Sequence, residues 1–171
     1  MIMEIRILRV IEETTVDGPG FRTSVYCAGC RHACPGCHNP QSWPMTGGEP
    51  RSTEDLARQI LADPFSDVTF TGGDPFYQAA AFAELAAKIK AESRKTIWCY
   101  TGFLFEELVD APQYRPLLER LDVLVDGPFV MAERDESLLF RGSRNQRIID
   151  VPASLREGKA VDFRLDTEPF S

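Results

Sequence analysis

Cys27, Cys30, Cys34 and Cys37 stand within eleven residues of one another, and both histidines of the chain, His32 and His38, fall in the same stretch. Thiolates are soft, anionic donors suited to zinc and to iron–sulfur chemistry. The spacing C-x2-C-x3-C-x2-C leaves three readings open. A structural zinc site usually sets its two ligand pairs about twelve or more residues apart, so that each pair forms its own knuckle; only three residues separate the pairs here. A ferredoxin-type reading takes Cys27-x2-Cys30-x3-Cys34-Pro35 as the end of the bacterial ferredoxin run, but it strands Cys37. The third takes Cys30, Cys34 and Cys37 as a three-thiolate set for a [4Fe–4S] cluster, with one iron left open to a small molecule. On that reading Cys27, in phase with Thr23 and Val25 at the end of a strand, is a small buried hydrophobe, and so is Cys99. His32 is either solvated or hydrogen-bonded to a cluster sulfur. His38, directly after the last thiol, contributes more through its backbone than through its ring.

These residues must be positioned by the elements around them. Ile5 and Ile7, with the apolar run to Ile11, predict a first strand; Phe21 to Cys27 predicts a second, entered through the Asp17-Gly18-Pro19-Gly20 turn. The Cys-rich loop runs on to about Pro50. Ser52 with Asp55 caps a helix whose apolar face is Leu56, Ile60 and Leu61. A strand over 67–71 runs into Gly72-Gly73-Asp74-Pro75, and an Ala-rich helix follows from about Tyr77 to Ala91. Further strands are expected over 96–100, 122–126 and 146–150. Between the first two of these lie short helical pieces, 105–109 and 114–121, broken by Pro112 and Pro116. Repeated strand, glycine turn and helix predict an α/β fold with a mainly parallel open sheet. The Cys loop, Gly72-Gly73-Asp74, Thr101-Gly102 and Asp126-Gly127 all stand at expected strand carboxyl ends and so line one mouth. There are too few units for eight strands, so a barrel would be incomplete.

Composition narrows the classes. At 171 residues the chain suits one domain, 1–171. With 12 Gly and 12 Pro it is neither collagen-like nor disordered. A net charge of −7 argues against a duplex nucleic-acid partner. No apolar run reaches the ~18–20 residues of a membrane span. The start, MIMEIRILRV, alternates charged and apolar residues and does not read as a signal or transit peptide. A cytoplasmic protein without membrane or nucleic-acid partners is expected, and there five cysteines serve as buried, metal-binding or catalytic groups rather than disulfides.

Cys30-x3-Cys34-x2-Cys37, followed one strand later by Gly72-Gly73-Asp74-Pro75, resembles the radical S-adenosylmethionine (SAM) superfamily. Asp17 to Arg22, Cys34 to Trp43, Thr71 to Pro75, Ile97 to Gly102, Asp122 to Phe129 and Gly142 to Gln146 narrow the likeness to the branch that activates glycyl-radical enzymes. Gly36 before the third Cys, and Asp74 in place of the commoner Glu, resemble the part of that branch acting on anaerobic ribonucleoside-triphosphate reductase. The likeness spans roughly residues 5–155; residues 158–171 form a tail to which it assigns no role.

The resemblance implies an incomplete (β/α) barrel of the radical SAM type, holding a [4Fe–4S] cluster on Cys30, Cys34 and Cys37. It implies that SAM chelates the open iron and that an electron, from reduced flavodoxin or a similar donor, cleaves it. The resulting radical would take a hydrogen atom from a glycine of the reductase, the protein substrate. No residue beyond the cluster ligands need be catalytic. Gly36, Cys37, His38, Gly72, Gly73 and Asp74 are the expected SAM-side contacts. The bare glycines would let the strand end approach SAM; Asp74 would meet a cationic group of SAM or cap the next helix. Thr101 and Asp126 would touch SAM or a cation, and Asn145, with Gln146, would reach its nucleoside.

Overall fold

A computed structural model describes residues 3–37 and 43–165. Seven strands form one sheet: β1 (Glu4–Thr14), β2 (Arg22–Cys27), β3 (Glu49–Ser52), β4 (Asp67–Gly72), β5 (Ile97–Tyr100), β6 (Val123–Asp126) and β7 (Arg147–Asp150). Their order is β3-β1-β2-β4-β5-β6-β7, and the sheet does not close. The central four, β2, β4, β5 and β6, run parallel. The flanking strands β1, β3 and β7 pair antiparallel. The expected mixed α/β fold with an open sheet is therefore present, its parallel pairing confined to the centre.

Among the described residues four α-helices lie between strands and a fifth follows the last: α1 (Thr53–Ala62), α2 (Ala79–Glu92), α3 (Phe105–Val109), α4 (Arg115–Leu118) and α5 (Val151–Glu157). The Ser52 side chain accepts from the Asp55 backbone N–H at 3.0 Å, and Glu54 and Asp55 place negative charge on the first turn of α1. Leu56 and Ile60 of α1 pack with Phe82, Leu85, Ala86 and Ile89 of α2 on one face of the sheet, where Val25, Cys27, Phe70, Cys99 and Leu124 meet them. The other face carries a smaller cluster of Trp98, Val123, Val125 and Ile148, covered by Tyr100, Phe140, Phe163 and Leu165. Alternation along each strand sorts the side chains between the two faces.

Two elements were not expected. β3 has no strand-forming composition. It pairs with β1 as an edge, where Pro50 is tolerated, and Arg6 gathers the preceding loop by donating to the carbonyls of Thr46, Gly47 and Gly48 at 2.8–3.0 Å. The other is α5, directly after β7. Asp150 caps it, Pro152 stands in its first turn, and Gly158 ends it at φ +73. Part of the tail also has a place: Asp162 bridges to Ile149, and Phe163 sits edge-on to Trp98 with centroids 5.7 Å apart.

Candidate metal centre

Because β2, β4, β5 and β6 are parallel, their carboxyl ends emerge on one side, and the Cys loop leaves β2 there. The Cys30 N–H donates to the Trp43 carbonyl at 3.1 Å, closing the loop on itself, and the Cys37 N–H donates to the Cys34 carbonyl at 3.0 Å. A cavity of about 130 Å³ is lined by Cys30, Cys34 and Cys37 from the loop and by Thr71, Gly72, Gly73 and Asp74 from β4 and the turn after it. Tyr100, Thr101 and Gly102 complete its wall with Gly127, Phe129, His32, Trp43 and Gln146. Cys37, Thr71, Tyr100, Phe129 and Gln146 also border a second cavity of about 390 Å³, whose far side includes Val16, Asp17, Phe140 and Arg141.

The three loop thiols are half-buried and none of the five cysteines is in a disulfide. Burial pushes the Cys30 thiol up to about 11, with Asp74 and the neighbouring thiols adding to it, while the His32 backbone N–H hydrogen-bonded to it pulls the other way. Cys27 and Cys99 are wholly buried in the helix-side core, where desolvation raises both thiols well above their ordinary value. They are apolar packing groups, set apart from the mouth by the alternation of their strands. Among the described residues no three Cys, His, Asp or Glu side chains converge at single-ion distance. A [4Fe–4S] cluster takes its thiolates on separate irons, ordinarily four, and three soft thiols around one small cavity suit a cluster with one iron left open.

Gly72 and Gly73 line the cavity and also meet the chain's own backbone. A Cβ on Gly73 would lie 2.4 Å from the Gly29 carbonyl oxygen, and one on Gly72 would lie 2.4 Å from the Cys27 nitrogen. The missing side chains admit the backbone at the root of the Cys loop. The Gly73 N–H then donates to the Cys27 carbonyl and the Asp74 N–H to the Gly29 carbonyl, both at 2.8 Å. Beside Gly36 the vacated volume is filled by Met131 and Phe129, which a Cβ would meet at 2.0 and 3.3 Å.

Asp74 is 1% exposed and is occupied by the chain's own donors. One carboxylate oxygen accepts from the Phe76 N–H at 3.0 Å, capping the short 3-10 helix Pro75–Gln78 that leads into α2. The other accepts from the Thr101 hydroxyl at 2.8 Å, the Gly102 N–H at 2.9 Å and His32 Nε2–H at 2.7 Å. The capping alternative is therefore realised, and Thr101 reaches the site as a partner of Asp74.

Asp126 and Asn145 do not line the cavity. Asp126 shares a face with Leu124, toward the helices; it is fully buried, accepts from the Phe105 N–H at 2.8 Å, and takes Arg147 as its cation, Nε at 3.0 Å and Nη2 at 2.5 Å. That pairing, with Glu106 behind it, raises the Arg147 guanidinium further. Asn145 donates to the Pro128 carbonyl at 2.8 Å, and its buried side-chain oxygen is without a partner. His38 lies outside the described residues. Trp43, Tyr100 and Phe129, which line the cavity, were not singled out from the sequence; aromatic residues beside the strand-end motifs were the available signal. Gln146 was paired with Asn145 there, and it is the one that borders both cavities.

The fold and site define an α/β protein that presents three cysteines of one loop at the carboxyl mouth of a parallel sheet centre, an arrangement that suits an iron–sulfur cluster. A family model described as a 4Fe-4S single cluster domain matches residues 16–149. A Vibrio cholerae protein is 38% identical over 143 residues, covering 78% of this chain and 90% of its own. One from Escherichia coli K12 is 38% identical over 141 residues, 77% and 89% of the two chains, and one from phage T4 is 32% identical over 139, 78% and 86%. All three carry the name anaerobic ribonucleoside-triphosphate reductase-activating protein. The chain belongs to this family of 4Fe-4S activating proteins.

Proposed function

We propose that this chain is a radical SAM enzyme that installs the glycyl radical of an anaerobic ribonucleoside-triphosphate reductase. Cys30, Cys34 and Cys37 hold a [4Fe–4S] cluster, and the fold is read as the incomplete (β/α) barrel of that superfamily. One observation carries the reading: the three thiols and the Gly72-Gly73-Asp74 turn share one cavity, and Cys37, Thr71 and Tyr100 of its wall also border a second. When bound, the cluster and SAM supply a one-electron cleavage that yields a carbon radical able to take a hydrogen atom from a glycine. The chain's own residues bind, orient and shield. Trp43, Tyr100 and Phe129 are apolar or amphipathic walls that keep water from the reacting volume. Residues of β4 and its turn, Thr71 to Gly73, offer backbone groups to the methionyl part of SAM, and the larger cavity accepts its nucleoside beside Gln146. No general acid or base is required, since the cofactor carries the hard chemistry.

The sheet is open, which leaves room for a protein loop bearing the target glycine to reach the mouth. Reduced flavodoxin or a similar carrier supplies the electron, and the reaction belongs in the cytoplasm. No helix among the described residues is long and apolar enough to cross a membrane.

Anaerobic reconstitution with iron and sulfide, followed by reductant and SAM, tests the proposal. Formation of 5′-deoxyadenosine, and of a glycyl-radical signal on added reductase, is expected from the wild-type chain and from Cys27→Ser. Both should vanish in Cys34→Ser. A fully loaded cluster that cleaves no SAM, with reductase present, would refute the reading.

A further inference from the structure

His32 sits between two of the three thiol residues, yet its side chain is turned away from solvent, with 16% of it exposed. Its Nε2–H donates to Asp74 at 2.7 Å. The ring stands edge-on to Phe103 with centroids 4.7 Å apart and tilted to Tyr77 at 5.5 Å. Gly102 is what admits it: a Cβ there would lie 2.6–2.8 Å from three atoms of the imidazole. Four groups from two segments, 74–77 and 102–103, thus converge on one ring. Asp74 is itself held by Thr101, Gly102 and Phe76, so the anchor is rigid. Ala33, the next residue, adopts φ +49, a left-handed conformation that a non-glycine residue holds only when its neighbours are fixed.

We propose that His32 is a positioning residue for the cluster: a buckle that fastens the Cys loop to the ends of β4 and β5 and thereby fixes the cluster relative to the SAM-binding wall. The fastening acts on both sides of the site. Toward the loop, a held His32 keeps its backbone N–H on the Cys30 sulfur, and hydrogen bonds to ligating sulfurs tune iron–sulfur potentials. Toward the wall, the same ring holds Asp74 and Gly102, whose backbones border the cavity. With Nε2 on a carboxylate and the ring set against Phe103 and Tyr77, the role assigned to the imidazole is one of position. The proposal rests on the cluster reading and extends it to a residue outside the three-cysteine set.

The test uses His32→Ala and His32→Gln in the reconstituted full chain, because glutamine retains a side-chain N–H able to reach Asp74. Three quantities are read: iron and sulfide per chain, the electron paramagnetic resonance line shape and midpoint potential of the reduced cluster, and kcat and KM for SAM cleavage. All three cysteines remain, so His32→Ala is expected to keep most of its iron. Its line shape and potential should move, and kcat should fall about 10–100-fold, the scale on which reactions respond to misplacement of about 1 Å, with a smaller change in KM. His32→Gln should recover most of the loss. Unchanged line shape, potential and kcat in His32→Ala would overturn the proposal. So would equal losses in both variants, which would mark a general packing role. A wild-type cluster that forms but cleaves no SAM would sink the activase reading alone, leaving line shape and potential to judge the buckle.

Discussion

Replacing Gly73 by alanine adds one methyl group where the strand end meets the root of the Cys loop. Gly73 is not among the residues with positive φ, so the substitution carries no left-handed backbone cost and the effect is purely steric. The new carbon would lie 2.4, 2.8 and 3.0 Å from the oxygen, carbonyl carbon and nitrogen of Gly29. All three are backbone atoms, which cannot swing aside as a side-chain tip can. Relief must come from moving the loop root away from β4, and that stretches the two 2.8 Å hydrogen bonds, Gly73 to Cys27 and Asp74 to Gly29. Each such bond contributes about 1 kcal/mol net. Overpacking adds about 1–3 kcal/mol, so the expected total is about 3–5 kcal/mol. For a chain of this size that lowers Tm by roughly 6–20 °C. Because the displaced segment leads directly to Cys30, the variant should also load less iron on reconstitution. Gly20→Ala is the control: nothing lies within 4 Å of its Cβ, and only the cost of φ +72 remains, about 1–2 kcal/mol with full iron uptake. Calorimetry and iron analysis on both variants decide the matter. A Gly73→Ala protein with wild-type Tm and iron content would show that the loop root does not rest on β4 as described.

Other consequences are equally open to measurement. Arg147→Met leaves the buried Asp126 carboxylate without its cation and should cost about 3 kcal/mol in urea unfolding; adding Asp126→Asn, which removes the charge, should recover part of it. In the cluster-free protein at pH 8, Cys30 should react with iodoacetamide about 100-fold more slowly than a thiol of ordinary acidity, because its titration is pushed to about 11 from 9.0. Peptide mapping of the alkylated residues checks this. The same shift has a sign in stability. Unfolded Cys30 releases its proton near 9 and folded Cys30 only near 11, so the folded chain binds more protons in between. Stability of the apo-protein should fall as pH rises from about 9 toward about 11, with the buried thiols of Cys27 and Cys99 acting in the same direction.

Much of the site was legible before any coordinates. Cysteine spacing gathered the soft donors at Cys27, Cys30, Cys34 and Cys37, and the family resemblance picked Cys30, Cys34 and Cys37 among them; strand–turn order put Gly72, Gly73, Asp74 and Thr101 on the same mouth, because parallel strands joined by right-handed crossovers bring their carboxyl ends together. Strand phase sorted Cys27 into the core, and the apolar strand around Cys99 did the same for that residue. Local chemistry sufficed for the Ser52 cap and for most helix and strand positions. The cap, proline and final glycine of α5 were equally readable, whereas β3 was not: an edge strand of Glu, Pro, Arg and Ser exists only because β1 offers it unpaired backbone groups.

What the tertiary structure alone decided is which way each strand-end residue faces and what fills each gap. Asp126 ends its strand beside the mouth, but a period of two turns it toward the helices and Arg147, while Val125 takes the other face. Bare glycines at 72 and 73 mark places for close approach without saying by what; the pairing of β2 with β4 brings the root of the Cys loop against them. His32 read as a loop histidine until the fold brought Asp74, Gly102, Phe103 and Tyr77 around its ring. Type and spacing along a chain encode which chemistry is available, since they set donor softness, backbone freedom and strand phase. Contacts between residues some forty or seventy positions apart are set by packing, which no local pattern contains.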